Sequence, residues 1–444
     1  MVESLDMNIQ VAAAQTLHRN LLSLLVYREI LNDRVGQAFL ELLQSLTRAD
    51  SSGAPQAYGT WFMALAERNQ GWQDYVLDRL LTAENAFSRQ VQKVDELPSA
   101  LTKAVERDLQ ILQSLYGCRS EQICEWVSQQ TSSVNLTAWS DKLSQKMMVS
   151  DSEKMASQLK TKLGTMQDWA EALNELSAYY REFGTGIFAE YRAFRWQNGK
   201  LSAIAHPDSL RAFDLIGYET QREMLLKNTA FLLSGHSALH VLLYGSRGSG
   251  KSSLVKSLLR EYDDRQLRLI EVSKSELKDL PAIIEPLRNL PQKFIIFVDD
   301  LSFEEDDDAY KALKVVLEGS LTARPQNVVV YATSNRRHLV REFFDDRPRP
   351  KDADEVHHWD TVQEKLSFSD RFGLTLTFEP ADQATYLKMV EHLAQQAGIS
   401  LEPQDLEYRA LQWATRHNGR SGRTARQFID FLQADLALFE PSNQ

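Results

Sequence analysis

The chain has 444 residues, 43% of them hydrophobic and 25% charged, enough for two or three packed domains and unlike a disordered chain. Its net charge is −11, with acidic groups in excess in both halves, which excludes a basic body that binds duplex nucleic acid by bulk charge. Two cysteines, Cys118 and Cys124, build neither a disulfide framework nor a four-cysteine zinc site, and they are expected to be free thiols.

Residues 1–193 are expected to be helical. Leu21, Leu24, Leu25, Arg28 and Leu31, then Val35, Phe39, Leu42, Leu43 and Leu46, recur at three- and four-residue spacing. After a loop at Ser51-Ser-Gly-Ala-Pro55, the stretch 58–91 is again helical, with Trp61, Leu65, Tyr75, Leu80 and Phe87 as expected core. Pro98 precedes a helix over 101–116, and 169–191 forms another, rich in aromatics. No catalytic motif occurs in this region, and its aromatics are expected to be core. The start, Met1-Val-Glu-Ser-Leu-Asp6, lacks the basic and apolar pattern of a secretion signal. The longest apolar runs are far shorter than the roughly 20 residues that span a bilayer, so a cytoplasmic location without membrane contact is expected.

The pattern changes near residue 193. Phe194-Arg-Trp-Gln-Asn-Gly-Lys200 has the look of a short strand and turn, and 194–211 is expected to be a linker. Short apolar strands then alternate with helices: strands at 238–244, 267–272, 294–298, 328–333 and 374–378, and helices at 250–262, 279–289 and 310–318. Such alternation indicates an α/β core, 212–380, built on a five-stranded parallel sheet. The last stretch, 381–444, returns to helices over 382–397, 403–417 and 421–437.

Three strand ends carry the chemistry. Gly245-Ser-Arg-Gly-Ser-Gly-Lys251-Ser252 is a complete P-loop pattern between a strand and a helix. Its glycines let backbone N–H groups surround phosphates at the positive helix N-terminus. The binding residues are therefore expected to be Gly245, Ser246, Arg247, Gly248, Ser249, Gly250, Lys251, Ser252 and Ser253, with Lys251 on the β- and γ-phosphates of ATP and Ser252 on Mg²⁺. Phe294-Ile-Ile-Phe-Val ends in Asp299-Asp300. Asp299 is expected in the Mg²⁺ shell, and Asp300 is placed to polarise the attacking water. Val328-Val-Val-Tyr-Ala-Thr-Ser ends in Asn335, which can orient that water.

Together these elements resemble the AAA+ ATPase class. Asp214-Leu-Ile-Gly217-Tyr218-Glu219 looks like the box that encloses adenine in that class, which implies Gly217 and Tyr218 as nucleotide contacts. Ser369-Asp-Arg371-Phe-Gly373 resembles the arginine-finger box, and Gly419-Arg-Ser-Gly-Arg423-Thr-Ala-Arg426 resembles the second sensor at the start of a lid helix. The resemblance implies that Arg371 acts in trans on a neighbour's nucleotide and Arg423 in cis on the γ-phosphate, with Arg426 a competitor for the latter role. Asp299-Asp-Leu-Ser-Phe-Glu304, Val356-His-His-Trp-Asp360 and Ser369-Asp-Arg-Phe-Gly373 are similar to an uncharacterised family of bacterial AAA+ ATP-binding proteins. The class usually ends its acidic strand in Asp-Glu, whereas this chain has Asp299-Asp300, one methylene shorter; Glu304 or Glu305 could contribute instead.

The remaining charged stretches carry weaker expectations. Glu304-Glu-Asp-Asp-Asp308 reads as a solvated loop, and the arginines of 336–349 alternate with acidic residues as in a mixed-charge loop or subunit interface. His357-His358 lacks a complete set of metal ligands. The resulting expectation is an ATPase using ATP and Mg²⁺, forming a homo-oligomer, such as a hexameric ring, that remodels or loads a protein or nucleoprotein partner recruited by the helical N-terminal region. The alternative is a nucleotide-gated scaffold with little turnover. A metabolic P-loop kinase is disfavoured by the lid and finger boxes.

Overall fold

Amphipathic spacing in the first half of the chain and continuous apolar runs in the second produce two compact units, 1–190 and 191–444. The computed structural model describes residues 2–48, 53–131, 136–139, 151–207, 216–262, 266–303, 308–318, 325–335, 367–417 and 419–439. Glu304, Glu305, the arginine-rich stretch 336–349 and His357-His358 lie outside these residues, as does Asp214.

The first unit is helical: α1 (Val2–Leu22), α2 (Arg34–Thr47), α3 (Ala54–Arg68), α4 (Trp72–Thr82), α5 (Ala86–Val91), α6 (Ser99–Gly117), α7 (Ser120–Thr131), α8 (Asp151–Thr165), α9 (Leu173–Phe183) and α10 (Ile187–Glu190). In α2, Asp33 accepts from Gly36 N as the N-cap, and Val35, Phe39, Leu42, Leu43 and Leu46 are all buried. Phe39 meets Trp72 at 4.4 Å and Trp61 at 5.8 Å between ring centroids, forming the aromatic centre of the core. Trp61, Leu65, Tyr75, Leu80 and Phe87 are fully buried as expected, and both cysteines are free and buried.

Two expected helices are broken. The apolar spacing across 21–31 does not continue α1, which stops at Leu22; turns follow up to Asp33, burying Leu24, Tyr27, Ile30 and Leu31 while Leu25 faces outward. The buried Asp108 carboxylate holds these turns, accepting from the N–H groups of Leu25, Val26 and Tyr27 at 2.7–3.1 Å. The stretch 58–91 divides into three helices. Asn69 in the left-handed region ends α3, and an Asn85–Ser88 capping box starts α5.

The second unit holds one seven-stranded sheet in the order β2-β1-β4-β5-β6-β3-β7, with β1 (Ala193–Gln197), β2 (Lys200–Ile204), β3 (Val241–Gly245), β4 (Leu267–Glu271), β5 (Lys293–Val298), β6 (Val328–Ser334) and β7 (Leu374–Phe378). The five expected parallel strands are β3–β7. The hairpin β1–β2, inside the stretch expected as a linker, extends the sheet and supplies its antiparallel pair. Asn198-Gly199, both at positive φ (54° and 74°), makes the two-residue turn that such a hairpin needs. Phe194 is fully buried, and Arg195 pairs with Glu271 on β4.

Helices α11 (Glu219–Leu233), α12 (Lys251–Glu261), α13 (Leu280–Leu287) and α14 (Asp308–Glu318) alternate with the strands, and α15 (Gln383–Gln396), α16 (Pro403–Arg416) and α17 (Gly422–Phe439) follow the sheet as a helical lid. β5 is buried from Phe294 to Val298 and β6 along its whole length, which is why both read as unbroken apolar runs. The lid joins the core through Tyr386, Met389, Phe428, Ile429 and Leu432. Among the described residues, no helix is long and apolar enough to cross a membrane.

Candidate functional site

Register brings the chemistry to one edge. β3 pairs with β6 from Val241↔Tyr331 to Tyr244↔Ser334, and β5 pairs with β6 up to Val298↔Ala332. The carboxyl ends of three adjacent parallel strands therefore coincide, where ligands of open α/β sheets bind. The P-loop leaves β3 there, Asp299 and Asp300 leave β5, and Thr333 to Asn335 end β6.

The P-loop is tied down at its start, where Ser246 N donates to Phe378 O on β7 at 2.8 Å. Ser249 Oγ closes the loop on Ser246 O at 2.9 Å, and α12 opens at Lys251. The Lys251 ammonium curls back to donate to Gly245 O at 3.0 Å, Ser246 O at 2.6 Å and Asn335 Oδ1 at 3.3 Å. Burial lowers its pKa from the usual value; the Asp300 and Asp299 carboxylates oppose that shift, and Arg423 adds to it.

The acidic pair is fixed from both sides. Asp299 Oδ1 accepts from Ser252 Oγ at 2.6 Å and from Thr333 Oγ1 at 2.5 Å. Asp300 stands at φ 52°, its N–H donating to Thr333 Oγ1 at 2.9 Å and its Oδ1 accepting from Asn335 Nδ2 at 2.6 Å. Thr333 thus touches both acidic residues, a role that sequence reasoning did not give it.

These groups line a cavity of about 640 Å³. Its floor is 247–253 of the P-loop, with Asp299, Asp300, Thr333 and Asn335 beside it. The far wall comes from the lid, where Arg423, Arg426, Gln427 and Asp430 project from α17. Arg423 N donates to Gly248 O at 3.2 Å, so the lid helix starts directly on the P-loop. Gly248 (φ 74°) permits this contact, because an added Cβ would lie 2.9 Å from Ser421 Oγ.

Some expected residues lie elsewhere. Gly245 and Ser246 serve the site through the carbonyls that receive Lys251. From the expected adenine box it is Ile216, not Gly217 or Tyr218, that lines the cavity, with Met389 and Leu393 of α15. Tyr218 is buried, donating to Glu379 O at 2.7 Å and packing on Phe378. Arg371 does not line this cavity; its Nε pairs with Glu318 at the end of α14. Met389 and Leu393 gave no signal because their helical spacing reads as core. Gln427 and Asp430 did carry one, since they share the 423–426–427–430 stripe with the lid arginines.

The residues fit a nucleoside triphosphate with a divalent cation. A hydroxyl and a carboxylate 2.6 Å apart, Ser252 and Asp299, are the sparse hard-oxygen ligands that Mg²⁺ takes beside phosphates. The P-loop backbone N–H groups and the Lys251 ammonium are of the donor type that phosphates accept from. Fold and site together are those of an AAA+ nucleotide-binding protein. Residues 189–436 match the family described as Protein of unknown function (DUF815), and the chain belongs to that family. A comparison with curated proteins finds no match. Solved structures similar to the chain include the RuvB Holliday junction branch migration motor of Thermotoga maritima, at 17% identity over 51% of this chain and 64% of that one, with a TM-score of 0.36. Another is the AAA domain of FIGL-1 in complex with ADP, at 17% identity over 52% of this chain and 76% of that one, with a TM-score of 0.35.

Proposed function

We propose that this protein is an Mg²⁺-dependent cytoplasmic ATPase that couples ATP binding and hydrolysis to remodelling or loading of a protein or nucleoprotein partner. The observation that carries this reading is the contact between Arg423 N and Gly248 O, which ties the C-terminal helices to the P-loop itself. A ligand seated on the loop must act on the lid. Lys251 and the loop N–H groups bind the β- and γ-phosphates, while Ser252 and Asp299 hold the cation, which neutralises phosphate charge. Asp300 accepts a proton from the attacking water, with Asn335 orienting it. Arg423 supplies charge to the γ-phosphate in cis and Arg371 to a neighbour's in trans. The helical unit, 1–190, recruits the partner.

A second reading, a nucleotide-gated scaffold with little turnover, is favoured by one feature. Asp300 is shorter than the glutamate usual for this role, and Asn335 already engages its carboxylate.

Binding of a fluorescent ATP analogue and phosphate release by the full chain test both. Lys251→Ala should weaken binding about tenfold to a hundredfold by deleting charge-assisted hydrogen bonds. Equal affinity for wild type and variant would remove the nucleotide site. Asp299→Asn should abolish Mg²⁺-dependent release, and Asp300→Asn should slow release while sparing binding. If wild type releases phosphate no faster than Asp300→Asn, the scaffold reading stands.

A further inference from the structure

Helix α17 is amphipathic, burying Ala425, Phe428, Ile429 and Leu432 while Arg423, Arg426, Gln427 and Asp430 remain exposed. That polar stripe, ordinarily a solvated face, is the one that lines the nucleotide cavity. Among the described residues none of its four side chains has a hydrogen-bond or ion-pair partner. Arg426 and Asp430 are four residues apart, a spacing at which they could pair with each other, yet they do not. Asp299 and Asp300 stand on the P-loop side of the cavity, where the cation and the attacking water belong; Asp430 is the one carboxylate on the lid side, with no such task.

We propose that Asp430 binds the ribose hydroxyls of the nucleotide and makes this site select ribonucleotides over deoxyribonucleotides. This rests on the nucleotide-site reading above. A carboxylate only accepts hydrogen bonds, and away from the cation assigned to Ser252 and Asp299 phosphates repel it, so Asp430 suits a donor on the nucleoside. Arg423 marks the phosphate end, since its backbone bonds to the P-loop. Asp430 lies seven residues further along α17, roughly 10 Å at the rise of an α-helix. That is about the length of an extended triphosphate, which brings Asp430 level with the sugar. Ile216, Met389 and Leu393 offer an apolar wall to the base and no acceptor for the sugar. A carboxylate on a 2′-hydroxyl is the same solution that dinucleotide-binding folds use.

The test measures affinities of the full chain for ATP, 2′-deoxy-ATP, 3′-deoxy-ATP and GTP, for wild type and for Asp430→Ala. Wild type should bind ATP about tenfold more tightly than at least one deoxy analogue, the loss expected for a charge-assisted hydrogen bond. Asp430→Ala should bring ATP down to the level of that analogue and leave the analogue unchanged. The exposed position on a helix lets Ala fold, and the wild-type comparison needs no variant at all. Equal binding of ATP and both deoxy analogues by wild type overturns the proposal, as does a uniform loss for every ligand in Asp430→Ala. Loss of ATP-over-GTP preference alone would mean that Asp430 reads the base, and also overturns it. If wild type binds no nucleotide, the site reading itself fails.

Discussion

Thr333 is the residue on which the acidic pair depends. Its side chain is buried, and its one hydroxyl donates to Asp299 Oδ1 while accepting from Asp300 N. No other described hydrogen bond reaches that Asp300 N–H. Thr333→Val keeps the shape and removes both bonds, so it should destabilise the unit 191–444 by about 0.5–1.5 kcal/mol for each, the net worth of a hydrogen bond whose partner is an exposed residue. It should also weaken Mg²⁺-dependent nucleotide affinity by releasing Asp299. Thr333→Ser should retain most of both. Urea denaturation and analogue binding check this, and a Val variant indistinguishable from wild type would show that the hydroxyl is redundant. The P-loop was legible because its pattern fixes four residue types within eight contiguous positions. Thr333 was not, since a threonine at a strand end has many roles and only the β5–β6 register aims this one at Asp299. The lid contacts Met389 and Leu393 were hidden for a related reason: 138 residues separate Lys251 from Met389 in the chain, and nothing local tells a cavity wall from a core.

Elements show the same division between local and distant causes. A short strand and the turn at Asn198-Gly199 were visible, but the second strand of the hairpin was not, and its place beside β4 goes with Phe194 burial and the Arg195–Glu271 pair, which the sequence does not connect. Strands β3–β7 were legible because buried parallel strands are unbroken apolar runs. The segment 21–31 misled because its apolar residues keep helical spacing while Asp108, some 80 residues away, captures three consecutive N–H groups from it. A carboxylate offering such acceptors competes directly with helical hydrogen bonding. Asp108→Ala should therefore cost the unit 1–190 about 3 kcal/mol or more, because three donors lose their acceptor at once. Asp108→Asn, which keeps one acceptor oxygen, should cost less. Hydrogen exchange at Leu25, Val26 and Tyr27 reports the effect directly, and unchanged protection there in Asp108→Ala would mean that packing alone holds the turn.

For the whole molecule the question is whether one chain contains a complete site. Its own cavity holds Lys251, Asp299, Asp300, Asn335 and Arg423, but Arg371 points its guanidinium to Glu318 instead. An arginine with the planar fork suited to phosphate oxygens, stationed off its own cavity, is what a site completed by a second copy requires. We therefore expect nucleotide-dependent self-association, seen by light scattering with ATP. Arg371→Ala should keep nucleotide binding within about twofold and lose turnover, since a finger acts on the transition state and not on the ground state. The ion pair with Glu318 is partly exposed, and its loss alone should cost about 0–1 kcal/mol. Glu318→Ala separates the two roles: it breaks the same pair but keeps the guanidinium, so turnover should persist. Mixing Arg371→Ala chains with Lys251→Ala chains, each inactive alone, should restore part of the activity. In a mixed assembly an intact P-loop from the first meets an intact finger from the second. A monomer with full activity, or Glu318→Ala as inactive as Arg371→Ala, would make Arg371 a structural residue of its own chain.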